Sequence, residues 1–134
     1  MSHYTVLNTQ FVDVETLVKA LSDVGFSHVE VHDHPQILMD WVGLPRPQKA
    51  EVIIRRKYVG RASNDIGFRR QKDGTFQAII SKFDRIRHSE NWLQSVARRY
   101  AYHATLVTLT RQGFELAEES ENHDQFHLTL RRVA

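Results

Sequence analysis

The sequence predicts one α+β domain over residues 1–134, an antiparallel-rich sheet of about six to seven short strands with two amphipathic helices on one face, in a ferredoxin-like or related order. Three observations predict it. Two stretches repeat apolar residues at helical spacing, and the short runs between them alternate apolar with polar residues. No linker or low-complexity tract divides the 134 residues, a length that suits a single core.

The elements follow in order. His3–Asn8 alternates and reads as a strand. Asp13 is a good N-cap for Val14, Leu17, Val18, Leu21 and Val24 at helical spacing, and Gly25 is a good stop, so a helix is expected over about 14–24. Ser27–Asp33 alternates, with His28, Glu30 and His32 on one face and Val29 and Val31 on the other; Pro35 is expected to end pairing there. Ile37–Val42 reads as a further short strand and Leu44–Pro47 as a loop. Ala50–Tyr58 reads as a strand with Arg55, Arg56 and Lys57 on it. Asp65–Gln71 and Thr75–Ser81 flank Lys72-Asp73-Gly74, an Asp-Gly hairpin signal. Ser89 can cap a longer helix over about 90–111, with Leu93, Val96, Ala97, Tyr100, His103, Ala104 and Val107 facing inward and Gly113 at its end. Phe114–Glu119 and Gln125–Val133 then form a hairpin around Ser120–Asp124, with Phe126, Leu128 and Leu130 facing in.

Composition narrows the chemistry. The chain has no cysteine, which excludes disulfide scaffolds, thiolate metal sites and thiol nucleophiles. The opening residues show no basic region followed by an apolar run, and no apolar stretch is long enough to span a bilayer, so a cytoplasmic protein with no membrane partner is expected. The net charge of +2 conceals a partition. Residues 1–45 hold one base against six acids, residues 46–99 fourteen bases against five acids, and residues 100–134 three bases against five acids. The three segments therefore carry −5, +9 and −2. Arginine supplies most of the central excess, and its planar fork suits phosphate and carboxylate recognition.

Three constellations could carry function. His28, Glu30 and His32 stand on one face of a predicted strand, neighbours roughly 6–7 Å apart, a span that two imidazoles can bridge onto zinc, nickel or iron. His34, His123 and His127 lie near them in sequence or in the last hairpin. The same alternation is what a solvated edge strand shows. Asp65 and His103 are the acid–base candidates outside that strand, His103 because it falls on the inward stripe. No Walker loop, dinucleotide glycine pattern, nucleophile elbow or His-Glu-x-x-His helix is present. The third constellation is cationic: Arg55, Arg56, Arg69, Arg70, Arg98 and Arg99, with Tyr58, Phe68 and Phe76 interleaved as in sheets that stack bases. Gly67-Phe68-Arg69 resembles a fragment of an RNA-recognition-motif strand, without the rest of that signature.

Met1-Ser2-His3-Tyr4-Thr5, Asp65-Ile66-Gly67-Phe68-Arg69 and Leu93-Gln94-Ser95-Val96-Ala97-Arg98-Arg99-Tyr100-Ala101-Tyr102-His103 together resemble a conserved hypothetical family, the small domain-of-unknown-function family of cyanobacteria and algal plastid open reading frames. The similarity runs nearly end to end, through Gly113-Phe114 and Arg131-Arg132-Val133. Asn64 stands where the family pattern has an aromatic. The resemblance implies a soluble cyanobacterial or stromal setting and brings no catalytic residues. The resulting expectation is a non-enzymatic binding or regulatory domain without a cofactor, its six arginines facing an acidic protein surface or a second copy of the chain. An RNA- or DNA-binding module is the alternative, and a small histidine-dependent metal enzyme at His28, Glu30 and His32 comes third.

Overall fold

The computed structural model describes residues 3–122 and 125–133. His123 and part of the expected Ser120–Asp124 turn lie outside the described residues. Among the described residues the architecture is α+β, with five strands in one antiparallel sheet, two in another, and three α-helices. The chain runs β1 (Tyr4–Asn8), α1 (Val14–Asp23), β2 (Glu30–Met39), β3 (Pro45–Ile54), a one-turn α2 (Arg56–Val59), β4 (Ile66–Arg70) and β5 (Phe76–Ser81). A 3₁₀ turn (Asp84–Ile86), α3 (Glu90–Arg111), β6 (Phe114–Asn122) and β7 (Gln125–Arg132) follow. The large sheet has the order β1-β5-β4-β3-β2, and every neighbouring pair is antiparallel. In a ferredoxin-like sheet, which is also antiparallel throughout, each helical crossover skips a single strand. Here α1 instead carries the chain from one edge of the sheet to the other.

The helices begin where the caps predict. Asp13 accepts the Thr16 amide at 2.9 Å and its hydroxyl at 2.7 Å, which closes the first turn of α1. Gly25 and Gly113 both adopt left-handed φ, +107° and +89°, as helix stops require. Leu17, Ala20 and Leu21 of α1 and Val96 of α3 are buried against Val52, Ile54, Phe68, Phe76, Ala78 and Ile80 of the sheet, with Phe11 closing the end of this main core. The inward stripe of α3 is shorter than expected. Ala97 and Val107 are exposed, and the buried side chains are Val96 and Tyr102. A 22-residue helix is about 33 Å long, whereas a five- or six-residue strand spans about 17–20 Å. The C-terminal half of α3 therefore runs past the sheet and carries β6–β7 instead, through the Tyr102 and Phe126 rings 5.5 Å apart.

The middle of the chain departs from expectation. Pro35 does not end pairing: β2 continues to Met39, and its register with β3 shifts between Val31 and Gln36. β2 is an edge strand, where an irregularity can absorb a proline without breaking a ladder on both sides. β3 begins at Pro45 and not at Ala50, because residues 45–50 pair with β2 alone and the missing proline amides cost nothing on the open side. The turn lies at Asp40–Leu44, where Asp40 Oδ1 accepts the Val42 and Leu44 amides. Beyond Ile54 the chain turns into α2, so Arg55, Arg56 and Lys57 do not share a strand.

The far half of the β2–β3 hairpin folds across the back of the sheet. β1 and β2 flank three strands and would stand about 19 Å apart in a flat sheet. Yet the Tyr4 hydroxyl on β1 donates to the carbonyls of Asp65, at 2.9 Å, and Met39 on β2, at 3.3 Å. Leu38, Ala50, Ile53 and Ile79 form a second small core under this fold-over, with Tyr4 packed against it. Gly67 lets the layers meet: a Cβ there would stand 2.6 Å from the Ala50 Cβ and 3.1 Å from the Leu38 methyls. Gly67→Ala should therefore lower unfolding stability by about 1–3 kcal/mol in a denaturant titration. Adding Ala50→Gly to that variant should recover part of the loss.

Candidate anion-binding surface

Asp65 is fully buried and accepts from every side. Its Oδ1 takes the Arg56 amide at 2.7 Å, and its Oδ2 takes the Met39 amide at 2.7 Å and the Arg55 guanidinium at 2.8 Å. The carboxylate is closed off from solvent and turned to three donors of its own chain, so it does not face a ligand in the acid–base role considered from sequence. Arg55 also donates to Glu30 at 2.9 Å, and Glu30 meets His32 Nε2 at 2.8 Å. Arg55 first, with His32 added and burial opposing, holds the Glu30 carboxyl below its usual range. Burial, reinforced by the Asp65 carboxylate, raises the Tyr4 phenol far above its ordinary value, in keeping with a permanent donor.

The neighbouring residue builds a second buried polar cluster. Asn64 is fully buried; its amide and Nδ2 donate to Asp84 Oδ2 at 2.9 and 3.1 Å, and its Oδ1 accepts the Trp41 amide at 2.9 Å. Ser81 Oγ donates to the same Asp84 oxygen at 2.7 Å. Asn64 thus joins three loops at one end of the sheet: 40–44, 60–65 and 82–88. The last two of these loops hold a cavity of about 240 Å³ lined by Arg61, Ser63, Phe83, Asp84, Ile86 and Arg87. Arg61 and Arg87 are exposed, and neither guanidinium has a hydrogen-bond or ion-pair partner among the described residues. Ala62, between Arg61 and Ser63, adopts φ +61°, a left-handed conformation that L residues adopt at a cost. Phe83 is 48% and Ile86 79% exposed, and Trp41, Val42 and Leu44 project from the adjoining turn. Unpaired cations beside exposed apolar side chains suit an oxyanion carried next to apolar groups.

The residues expected from sequence are placed differently. Arg55 is used by Glu30 and Asp65; Arg56 donates to the Trp41 carbonyl at 2.8 Å. Arg70 donates to the Val12 and Gly74 carbonyls and lies over the Phe76 ring. Arg98 pairs with Glu121 at 3.8 Å, and Arg99 with Asp23 at 2.9 Å while stacking on Tyr102. Arg69 is exposed, on the opposite sheet face to Arg70. The six do not share one surface. Nor do the metal candidates converge. His28 precedes β2 and stacks flat on Tyr58, 4.4 Å between ring centres, while Glu30 and His32 bond to each other. Among the described residues no group of three or more His, Asp or Glu side chains could hold a metal ion. His103 lies on the rim of the helix pair, bonded to Asp23 at 2.6 Å. Burial works against the Asp23 carboxylate, but Arg99 and His103 outweigh it and hold its pKa below the usual range.

A family model described as "Protein of unknown function (DUF1257)" matches residues 20–129. The chain belongs to that family. It is 29% identical over 125 residues to the uncharacterized protein ycf35 of Cyanophora paradoxa, covering 92% of this chain and 91% of the relative. It is 23% identical over 133 residues to the uncharacterized protein ycf35 of Pyropia yezoensis, with the same coverage of both. No solved structure matches. The resemblance to a family of cyanobacteria and algal plastids holds. Among the described residues no helix is long and apolar enough to cross a membrane.

Sequence reasoning noted Asn64 only as a departure from the family pattern, gave Ser81, Asp84 and His88 no role, and counted Arg61 and Arg87 only as charge. The signal for the polar cluster was weak, since small polar residues between strands ordinarily mark loops. His88 is buried between Phe26 and Trp92, its Nδ1 without a partner among the described residues, and burial holds its pKa below the usual imidazole range.

Two outcomes follow for stability. Asp65→Ala leaves two amides and the Arg55 guanidinium without their acceptor and should cost about 3–5 kcal/mol in denaturant unfolding. His88 binds its proton more readily unfolded than folded, so its contribution is intact above about pH 6.5 and is lost as pH falls toward its lower folded value. His88→Phe should flatten that part of the stability–pH curve measured by thermal melts.

Proposed function

We propose that this domain is a non-enzymatic binding module that takes an acidic, amphipathic segment of a partner protein on the end of the sheet formed by loops 40–44, 60–63 and 82–87. The observation that carries the reading is the pair of unpartnered guanidiniums, Arg61 and Arg87, at a cavity bordered by exposed Phe83 and Ile86. A carboxylate of the partner would sit between the two arginines within reach of the Ser63 hydroxyl, and apolar side chains next to it would cover Phe83, Ile86 and the Trp41 turn. Arg56, held along that turn, and Lys82 would extend the positive field.

A protein partner is favoured over nucleic acid on two grounds. The net charge is only +2, and most of the arginines that would track a phosphate backbone are already engaged within the chain. Of the arginines expected from the sequence, Arg69 remains exposed, but it lies toward the far end of β4.

The test uses a fluorescent peptide that alternates Glu or Asp with Leu or Phe, alongside a polyglutamate of equal length and a single-stranded RNA. The alternating peptide should bind in the micromolar range and more tightly than polyglutamate. Arg61→Glu combined with Arg87→Glu should weaken binding at least tenfold and leave the melting temperature unchanged, because both side chains are exposed. RNA binding that is tighter and falls steeply with salt would replace this reading with the nucleic-acid one. Absence of binding to all three probes at low salt would overturn it.

A further inference from the structure

The two edges of the large sheet are built differently. The β2 edge is interrupted by the Val31–Gln36 register shift, contains Pro35, and carries Glu30, His32, Asp33 and His34. Such features stop one sheet edge from pairing with another. β1 has none of them. Its residues Tyr4-Thr5-Val6-Leu7-Asn8 include no charge, proline or glycine, and its register with β5 is unbroken.

The backbone pattern shows which groups that edge presents. The Lys82 amide donates to the His3 carbonyl at 2.8 Å. Bonded pairs in an antiparallel ladder fall at every second residue, so Thr5 and Leu7 also bond β5, opposite Ile80 and Ala78. The amides and carbonyls of Tyr4, Val6 and Asn8 therefore point away from the sheet. Beside them, between β1 and the first half of α3, lies a groove of about 370 Å³ whose lining includes Leu7, Phe11, Leu93 and Ala97. On the opposite face of the strand Val6 is 52% exposed.

We propose that this edge pairs with the β1 edge of a second copy of the chain, antiparallel and centred on Val6. In that register Val6 faces Val6 of the other copy, and Tyr4 faces its Asn8. Each facing pair joins two residues whose amides and carbonyls both point outward, so the same strand serves as donor and acceptor on both sides of a two-fold axis. That self-complementarity is what names a second copy as the occupant. The edge carries no charge to repel its own image, the two valines form a β-branched cross-strand pair, and the groove beside α3 closes over apolar side chains. None of the residues at the cationic end takes part, so this pairing and the proposed acidic partner stand or fall separately.

Sedimentation velocity on the full chain over a concentration series tests it. The wild-type chain should form a dimer with a micromolar dissociation constant. Val6→Lys and Val6→Glu should each sediment as monomers with unchanged circular dichroism and melting temperature, since residue 6 is exposed. An equal mixture of the two variants should restore the dimer, because residue 6 then meets the opposite charge across the axis. A wild-type monomer, a dimer that survives both substitutions, or a mixture that stays monomeric would overturn the proposal.

Discussion

A carboxylate can be taken out of water only if protein donors replace its hydration, and the three donors around Asp65 determine how three parts of this chain meet. The Met39 amide comes from the far end of β2, the Arg56 amide from the start of α2, and the guanidinium from Arg55 between strand and helix. Once these are collected, Asn64 next to Asp65 is carried to the other side of the same junction, where it satisfies Asp84 and the Trp41 amide. The cavity between Arg61 and Arg87 rests on that second set of bonds. A solvent-facing cationic site is thus mounted on a floor of polar groups that water does not reach.

Much of the fold could be read from the sequence because its signals were local. Asp13 and Gly25 bound α1, Ser89 and Gly113 bracket α3, and the Asp-Gly turn between β4 and β5 needs nothing beyond its own residues; Asp73 Oδ1 accepts the Thr75 amide there at 2.9 Å. The misreadings share one origin, which is contact at long sequence separation. Pro35 looks like a strand terminator until β2 is known to be an edge. Residues 55–58 look extended until Asp65 draws the Arg56 amide inward. The interior of α3 looks longer than it is because periodicity carries no information about how long the strands beneath it are. The candidate site was legible only as a surplus of positive charge. Which arginines remain free depends on where the acids come to rest.

That redistribution changes the meaning of the charge partition. The acidic first segment supplies Asp23 to Arg99 and Glu30 to Arg55, the acidic last segment supplies Glu121 to Arg98, and Glu115 pairs with Arg131 inside that last segment. Three of the central arginines are therefore neutralised by acids from the end segments, at partly exposed positions where each pair adds little stability. The pairs define register between elements more than they strengthen them. Arg61 and Arg87, set among apolar side chains at one end of the sheet, have no such pair among the described residues.

The Tyr4 hydroxyl has a consequence of a different kind. Edge strands ordinarily peel away first, because each has a neighbour on one side only. Here the first strand and the last are tied through Met39 and Asp65 across three intervening strands. Neither margin can fray alone: loosening β1 withdraws the phenol from the β2–β3 fold-over, and lifting the fold-over uncovers Tyr4. The two margins are thus coupled through a single side chain where a barrel would close by a strand.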